Sequence, residues 1–306
     1  MDFLRLLEGI RFPALDTVMS LITQLGDELC FMAIAITMFW CIDKYRGYYL
    51  LSVGFLGTVI NQFLKLVFRI PRPWVLDPDF TIVESAREAA TGYSFPSGHT
   101  QNAVGTLGGV ALSSKRRWVK IVCVVLFLLV SFSRMYLGVH TPLDVSVSFV
   151  IATVLLLVLY PVFGRMESNP NLMYILMSIM IMLGVGYLLF VSLFPFPADV
   201  DASNLESGTK NAYTLLGATL GVLVAFHVDR KYTNFSTEAP LIGQILKLVI
   251  GLALTIAIKS GTKPLLNLIF GGHQAANLVR YFLMVVFAGV LWPMTFKWFA
   301  KIGKKQ

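Results

Sequence analysis

Three short stretches of this chain combine cations, histidines and a carboxylate in patterns that suit phosphoryl transfer. In the first, Lys65 and Arg72 lie seven residues apart, so on one helix they would project from the same face, which Arg69 shares. Cations at the end of an apolar helix are more often anchors at the membrane surface than ligand-binding groups. Here Pro71 and Pro73 flank the arginine and stop the helix, which fixes the direction of its side chain and favours a binding role.

The second stretch, residues 95–100, reads FPSGHT and opens an apolar run. Ser97 is expected to cap the helix that follows, and Gly98 with the first helical N–H groups offers a bare backbone site for an anion. His99 lies within reach of that site and would be placed to transfer a proton. Taken alone, the stretch fits a plain capped helix with a histidine at headgroup depth about as well as it fits catalysis.

The third stretch runs from Ser133 to Asp144. Arg134 ends an apolar run, where an unpaired cation is unfavourable, so it requires an anion or a wet pocket. His140 and Asp144 lie four residues apart around Pro142, which suits the first turn of a helix. At that spacing the carboxylate can accept the Nδ1 hydrogen of His140 and leave Nε2 free as a nucleophile. A purely structural pair that caps the helix is an equal alternative for this stretch alone.

Together the three stretches supply the parts of a metal-independent phosphoryl-transfer site. Lys65, Arg72 and Arg134 would neutralise a phosphoryl group whose charge spreads over its equatorial oxygens. His140 would attack phosphorus in line, and His99 would protonate the leaving alcohol. The sequence contains no HExxH motif and no cluster of carboxylates spaced for two metal ions, so neither a metal nor another cofactor is expected.

The elements that position these residues follow from a very apolar composition. Of 306 residues, 56% are hydrophobic and only 14% are charged, and the mean hydropathy is +0.72. These values exclude a soluble globular enzyme, a disordered chain and a nucleic-acid-binding module. The net charge of +8 is therefore attributed to the loops of a membrane protein. The three cysteines fall in apolar runs without paired spacing, which indicates neither a disulfide framework nor a zinc site.

The chain is predicted to be an all-α, polytopic transmembrane bundle, because an apolar helix of about 20 residues spans a bilayer. In the third predicted span, Gly105 and Gly109 would allow a neighbouring helix to approach closely. Three regions are expected: an interfacial amphipathic helix over 1–27, broken near Pro13, a core with the three motifs over 28–165, and four further spans over 166–306. The nine predicted spans are 28–42, 47–68, 99–114, 118–137, 144–164, 171–194, 211–228, 240–259 and 280–299.

The distribution of basic residues predicts how the chain crosses the membrane. Lys and Arg collect in the links at 43–46, 115–120, 165–170 and 229–238 and in the C-terminal tail. By the positive-inside rule that side is cytoplasmic, so the N-terminus lies outside, the C-terminus lies inside and all three motifs lie at the outer face. We therefore predict a multi-pass protein of the plasma (inner) membrane whose site faces outside.

The three stretches resemble the signature of the type 2 phosphatidic acid phosphatase superfamily, whose membrane lipid phosphate phosphatases are related to glucose-6-phosphatase. The resemblance covers about residues 45–165 and implies the helical bundle of that family, with its catalytic pocket at the extracytoplasmic membrane surface. The signature reads KxxxxxxRP, PSGH and SRxxxxxHxxxD, and every spacing is intact in Lys65 with Arg72-Pro73, in Pro96-Ser97-Gly98-His99, and in Ser133-Arg134 with His140 and Asp144.

The resemblance implies a role for each motif residue. His140 would be the nucleophile that forms a phosphohistidine, which water then hydrolyses, and Asp144 would orient it. His99 would be the general acid. The chain is accordingly expected to be a metal-independent phosphoric monoester or pyrophosphate hydrolase. Phosphate would be bound by Lys65, Arg72, Ser97, Gly98 and Arg134.

The position of the motifs at the ends of membrane helices favours a lipid phosphate as substrate, such as phosphatidate, phosphatidylglycerophosphate or a prenyl pyrophosphate. The alternatives are a soluble phosphate ester such as glucose 6-phosphate, a lipid phosphotransferase and, less favoured, a non-catalytic lipid transporter or scaffold. The expected partners are the lipid substrate and the bilayer, and a homodimer through the C-terminal spans is one role for residues 166–306. Four rings would either guide lipid tails or anchor the membrane surface, namely Trp74, Tyr93, Phe95 and Tyr136.

Overall fold

The apolar runs of the sequence fold as helices in the computed structural model, which describes residues 1–88, 90 and 92–302. No strand occurs among these residues, so the predicted all-α class is confirmed. Short π-helical turns lie at Met38–Ile42, Asp229–Thr233 and Phe287–Leu291. In chain order the α-helices of this part are α1 (Asp2–Glu8), α2 (Pro13–Thr23), α3 (Glu28–Thr37), α4 (Lys44–Phe68), α5 (Pro73–Leu76), α6 (Gly98–Ser113), α7 (Arg117–Tyr136), α8 (Pro142–Gly164), α9 (Asn171–Leu193), α10 (Ala202–Val228), α11 (Leu241–Ile269), α12 (Ala276–Val286) and α13 (Phe296–Phe299).

The helices form two compact units. The first unit consists of Met1–Ala35, Tyr49–Gly164 and Pro195–Gly208, and it contains all three motifs. The second unit consists of Ile36–Tyr48, Arg165–Phe194 and the chain from Thr209 on. The domain boundaries drawn after residues 27 and 165, the orientation in the membrane and self-association through the last spans stay predictions.

Seven helical stretches among the described residues are long and apolar enough to cross a membrane, which confirms a multi-pass membrane protein. Two further stretches, Pro13–Gly26 and Glu28–Ile42, meet at a bend of 50° and would form an eighth span if they act as one. The predicted number of nine is higher because it counts 28–42, one arm of this bent pair, and 99–114, which is the 16-residue helix α6. The seven are Lys44–Leu76, Arg117–Tyr136, Pro142–Gly164, Asn171–Leu193, Ala202–Thr233, Leu241–Ile269 and Ala276–Phe299.

The N-terminal region forms two short helices, and Pro13 takes the first position of α2, so the predicted break near this proline is confirmed. Arg5 Nη2 donates to the Asp77 carboxylate at 2.6 Å, and the Glu8 carboxylate accepts the backbone N–H of Thr81 at 2.8 Å. These contacts tie α1 to the loop that follows α5. The two helices and the link between them also expose a set of apolar side chains that suits a membrane surface: Phe3, Leu6, Ile10, Phe12, Val18 and Leu21.

The end of α4 differs from the prediction. The helix stops before Arg69, which adopts the left-handed conformation with a φ of 50°. Arg72 precedes the first residue of α5, so Lys65, Arg69 and Arg72 do not share one helical face, and that prediction is wrong. The physical reason is that Pro71 and Pro73 lack the N–H groups that a continued helix needs, so the chain leaves the helix before Arg72 is reached.

The helix that carries the PSGH motif packs closely on α4. A β-carbon at Gly105 would lie 3.1 Å from Val53, and one at Gly109 would overlap the fully buried side chain of Leu50. The close approach predicted at these two glycines is therefore confirmed. It brings the backbone of α6 against the helix that carries Lys65, which relates the second motif to the first.

The second unit contains buried charged side chains that pair within the unit. Lys44 Nζ donates to the Asp229 carboxylate at 2.7 Å, at the start of the π-helical turn that follows α10. Lys247, in α11, is fully buried. Its Nζ donates to the Thr237 carbonyl oxygen at 2.9 Å and lies 4.5 Å from the centre of the Phe296 ring. These contacts satisfy cations that would be unfavourable in an apolar interior.

We expect Gly109→Val to lower the free energy of unfolding by about 1–3 kcal/mol, because the added methyl groups have no room beside Leu50. Gly186 lies inside α9, and a β-carbon there would meet nothing within 4 Å. Gly186→Val is therefore the matched control, with the same change in helix propensity and no overlap. Thermal unfolding in detergent measures both variants, and equal midpoints would contradict the close packing of α6 on α4.

Candidate active site

Backbone hydrogen bonds join the three motifs within the first unit. The Ser94 N–H donates to the Ile70 carbonyl oxygen at 2.8 Å, which links the segment before PSGH to the segment before Arg72. The Ser97 N–H donates to the Asp144 carbonyl oxygen at 3.2 Å, which links PSGH to the third motif. Stretches that are far apart in the sequence are thus held next to one another by main-chain contacts.

A cavity of about 160 Å³ lies where the motifs meet, and every residue that lines it belongs to the first unit. The predicted residues Ser97 and Asp144 do not line it, and both are buried. The cavity is lined by six of the predicted residues, Lys65, Arg72, Gly98, His99, Arg134 and His140, and by five that the sequence did not indicate, Gln62, Gly92, Ser203, Asn204 and Ser207.

The two cations of the first motif are held by backbone carbonyl oxygens. Lys65 Nζ donates to the Tyr93 oxygen at 2.6 Å. Arg72 Nε donates to the Gly92 oxygen at 2.8 Å, and its Nη1 donates to the Val139 oxygen at 2.9 Å. Neutral acceptors orient a cation without cancelling its charge, so these contacts leave the positive potential of the cavity available to an anion.

Arg134 is almost fully buried and is oriented by the N-terminal helices. Its Nη1 donates to the Thr23 hydroxyl at 2.8 Å, at the end of α2, while its Nε has no hydrogen-bond partner within the described ranges. The following turn packs on the backbone of the PSGH motif, since a β-carbon at Gly26 would lie 2.7 Å from the His99 carbonyl oxygen. A buried donor without a partner is unfavourable, so an anion in the cavity would complete the contacts of this arginine.

The third motif places a histidine between a carboxylate and a cation. His140 Nδ1 lies 3.4 Å from the Asp144 Oδ2, and its Nε2 lies 3.0 Å from Arg72 Nη1. The same carboxylate oxygen accepts the Ser94 hydroxyl and the Thr141 N–H, which fixes its position. With an acceptor at Nδ1 and a donor at Nε2, the imidazole is assigned a hydrogen on Nδ1 and a lone pair on Nε2.

The PSGH motif forms the expected helix start. The Ser97 hydroxyl accepts the Thr100 N–H at 3.4 Å, so this serine caps α6 as predicted. From α4, Asn61 Nδ2 donates to the Pro96 carbonyl oxygen at 3.4 Å. A β-carbon at Gly98 would meet nothing within 4 Å, which leaves open space beside the first N–H groups of α6. That space fits an anion at a positive helix end.

The surroundings of His140 favour its neutral form. Burial lowers the pKa of His140 well below the ordinary value for histidine, and the positive charges of Arg72, Arg134 and Lys65 lower it further. The residue lies between the spans that end at Tyr136 and begin at Pro142. A neutral imidazole keeps the Nε2 lone pair available for attack on an electrophile at ordinary pH.

The four rings that would either guide lipid tails or anchor the membrane surface do not line the cavity. The Phe95 ring packs edge-on against Phe68 at 5.2 Å, and the Tyr136 hydroxyl donates to the Asp16 carboxylate at 2.7 Å. Trp74 lies under the Arg87 guanidinium at 5.4 Å. Among the described residues that line the cavity, none has an apolar side chain. A molecule bound in this cavity would therefore meet polar atoms.

The structure adds residues that the sequence did not single out. Ser94 lies two positions before Pro96, and a hydroxyl so close to a motif could have been identified from the sequence as a candidate site residue. Thr23 is 111 residues away from Arg134, and its contact has no local signature. Asn204 and its neighbouring serines come from the first turns of α10, far beyond the third motif. Within the ranges described, no three His, Cys, Asp or Glu side chains group together as metal ligands would.

Comparison with known proteins gives two family matches within the chain. The description PAP2 superfamily matches residues 46–167, and the description PAP2 superfamily phosphatase, transmembrane extension, matches residues 213–305. The first match includes all three motifs. No solved structure matches the chain.

Three curated proteins illustrate the range of relatives. Sphingosine-1-phosphate phosphatase 1 of Rattus norvegicus is 26% identical over 273 residues, which cover 81% of this chain and 61% of that protein. Undecaprenyl-diphosphatase BcrC of Bacillus subtilis is 31% identical over 145 residues, 46% of this chain and 71% of the relative. Phosphatidylglycerophosphatase B of the same species is 32% identical over 157 residues, 46% of this chain and 71% of the relative. The chain thus spans about three fifths of the rat protein.

We expect His140 to remain neutral, with its hydrogen on Nδ1, at pH 6 in buffer free of phosphate. The reason is that burial and the neighbouring cations lower the pKa of His140, so protonation occurs only well below the pH at which an unfolded chain takes up the proton. Nitrogen NMR shifts of ¹⁵N-histidine-labelled protein report both the charge and the tautomer, and His140→Gln assigns the signal. An imidazolium signal for His140 at pH 6, or a hydrogen on Nε2, would contradict the geometry.

Proposed function

Because the chain belongs to the PAP2 superfamily, we propose that it is a membrane phosphatase that hydrolyses lipid phosphates through a phosphohistidine at His140. One observation carries this proposal. Three cations, a buried histidine with a carboxylate at Nδ1, a second histidine and an open helix start all meet at one cavity. The substrates named by the relatives, sphingosine 1-phosphate, undecaprenyl diphosphate and phosphatidylglycerophosphate, define the class: a phosphate on an amphiphile.

In the first step the phosphoryl group binds among Lys65, Arg72 and Arg134, whose charges neutralise its oxygens. The guanidinium of Arg72, which lies 3.0 Å from His140 Nε2 in the free site, contacts the phosphate when substrate is present. His140 Nε2 then attacks phosphorus, so a P–N bond forms while the P–O bond to the lipid breaks. Burial and the three cations lower the pKa of His99 to about 3 in the free site, and the negative charge of the bound phosphate offsets those cations, so that His99 takes up a proton in the complex. It donates this proton to the leaving oxygen, which departs as an alcohol, or as a phosphate when the substrate is a diphosphate.

In the second step water hydrolyses the phosphohistidine. His99, now neutral, accepts a proton from the attacking water, the P–N bond breaks, and inorganic phosphate leaves. Asp144 holds the Nδ1 hydrogen of His140 through both steps, so the developing positive charge on the ring is stabilised and Nε2 stays directed at phosphorus. This chemistry uses protein side chains alone, and the activity is proposed to persist in a metal chelator.

The location of the reaction completes the proposal. Lys and Arg are in excess in the links at 43–46, 115–120, 165–170 and 229–238, which are predicted to face the cytoplasm, away from the three motifs. This distribution supports a site at the extracytoplasmic surface of the plasma membrane. The exposed apolar side chains of α1 and α2 support contact of the same unit with the bilayer surface, where an amphiphile can present its phosphate without leaving the membrane. Reconstitution in vesicles, with substrate added to one face at a time, tests this side directly.

The test of the activity is phosphate release by the purified protein in detergent with EDTA. The substrates are sphingosine 1-phosphate, phosphatidate, phosphatidylglycerophosphate, a prenyl diphosphate and, as the soluble rival, glucose 6-phosphate. The proposal expects release from at least one lipid, no dependence on divalent metal, and little release from the sugar. Preferred hydrolysis of glucose 6-phosphate, or release that EDTA abolishes, would overturn it.

We expect His140→Gln to abolish turnover and Asp144→Asn to reduce it by about 10²–10⁴-fold, because the first removes the nucleophile and the second loses the Nδ1 acceptor that orients it. Both proteins should remain folded, which size-exclusion chromatography and circular dichroism check. Wild-type turnover by either folded variant would refute the assigned roles.

We expect the effect of His99→Asn to depend on the leaving group. A lipid alkoxide needs a proton in order to leave, so turnover of an alkyl phosphate should fall by about 10²–10⁴-fold. p-Nitrophenolate leaves without a proton, so release from p-nitrophenyl phosphate should fall far less. Equal losses on the two substrates would show that His99 is not the general acid.

A further inference from the structure

A segment outside both family matches forms part of the cavity. Residues 201–208 lie between the matched stretches 46–167 and 213–305, yet they belong to the first unit. Three of these residues, Ser203, Asn204 and Ser207, line the same cavity as the motif residues. The start of α10 therefore contributes to a site whose known motifs end some 60 residues earlier, at Asp144.

This segment is fixed by its own hydrogen bonds and by Tyr93. The Asp201 carboxylate accepts the Ser203 hydroxyl at 2.6 Å and the Asn204 N–H at 2.8 Å, which caps α10. The Asp201 N–H donates to the Tyr93 phenol oxygen at 3.0 Å. Asn204 Oδ1 accepts the Tyr93 N–H at 3.0 Å. The two residues thus hold Tyr93 by its side chain and its backbone at once.

Through residues 92 and 93 the segment contacts the anchors of both cations of the first motif. The Tyr93 carbonyl oxygen accepts Lys65 Nζ, and the Gly92 carbonyl oxygen accepts Arg72 Nε. Gly92 has a φ of 70°, and a β-carbon there would overlap the amide of Asn204. Only glycine combines this conformation with this contact, so Asn204 packs directly on the backbone that orients the cations.

One atom of Asn204 is left for a ligand. Its Oδ1 is used by Tyr93, but its Nδ2 is shielded from solvent and has no hydrogen-bond partner in the described chain. The side chain lines the cavity, together with Gln62, Ser203 and Ser207, and none of the described lining side chains is apolar. An acceptor oxygen on a bound molecule, next to its phosphate, would pair this donor.

We propose that Asn204 determines substrate specificity by donating from Nδ2 to an oxygen that the lipid carries close to its phosphate. The inference rests on the proposed phosphatase function and adds a preference to it. Lipid phosphates with a hydroxyl beside the phosphate are favoured over those in which a bare hydrocarbon chain follows the phosphate directly. A bare chain would leave the Asn204 amide and the hydroxyls of Ser203 and Ser207 without hydrogen-bond partners. A site built to form hydrogen bonds with its substrate discriminates against a molecule that cannot form them.

The experiment compares two monophosphates of similar chain length, an alkylglycerol phosphate with a free hydroxyl and a plain alkyl phosphate. For the wild type we expect kcat/KM to be about tenfold higher for the hydroxylated lipid, the range of one hydrogen bond. Asn204→Leu loses both polar atoms, whereas Asn204→Asp keeps an acceptor for Tyr93 and loses the donor. Both variants should bring the ratio of kcat/KM for the two lipids to within about threefold of one.

The ratio separates specificity from a merely structural role, because a distorted site lowers turnover of both lipids together. Lys210→Gln, an exposed change on the same helix, is the matched control and should keep the wild-type ratio. If the wild type hydrolyses both lipids equally well, or if the Asn204 variants keep the wild-type preference, the inference is wrong while the phosphatase function stands. If the wild type releases phosphate from neither lipid or any other phosphate tested, the proposed function is wrong and the inference falls with it.

Discussion

The concentration of three cations around one cavity is the constraint on which the first unit depends. Lys65, Arg72 and Arg134 repel one another, and each loses hydration when it is buried. The contacts that orient them use carbonyl oxygens and the Thr23 hydroxyl, which leave the charge largely uncancelled. The free protein therefore holds an electrostatically unfavourable arrangement, which a bound anion would relieve. In the proposed function that anion is the substrate phosphate, and the same three side chains would supply binding energy and transition-state stabilisation.

Holding such a cluster requires support from parts of the chain that carry no motif. The N-terminal helices supply Thr23 to Arg134 and pack Gly26 against the backbone of His99. From the other end of the unit, Asp201 and Asn204, at the start of α10, hold Tyr93 and pack on the backbone of Gly92. The site is thus enclosed by elements on both sides of the motif-bearing core. This arrangement explains why the first unit includes Pro195–Gly208 although that segment follows an intervening helix of the second unit.

The local geometry of the motifs could be predicted from the sequence because it depends on short spacings. The capping role of Ser97, the start of α8 at Pro142 and the contact between His140 and Asp144 all arise within one helical turn. The close approach of helices at Gly109 could also be predicted, since small residues allow helices to pack tightly. Local periodicity is enough for such features.

The remaining features depend on backbone direction and on distant contacts, which periodicity does not contain. The prediction that Lys65 and Arg72 share one helical face was wrong, because the helix ends at Phe68 and Arg69 takes a left-handed conformation. The roles of Ser94, Thr23 and Asn204 depend on partners 50, 111 and 111 residues away. Of the two roles left open for Trp74, Tyr93, Phe95 and Tyr136, lining the cavity as lipid guides does not occur, because these rings pack elsewhere in the unit.

The most direct measurement is rapid-quench labelling with a lipid whose phosphate carries ³²P, followed by mapping of the label. We predict a transient covalent phosphoenzyme, labile in acid, that forms faster than phosphate is released and maps to the peptide containing His140. Absence of any covalent label during rapid turnover, or a label on another residue, would contradict nucleophilic catalysis by His140 and leave the three cations as a binding site for a different chemistry.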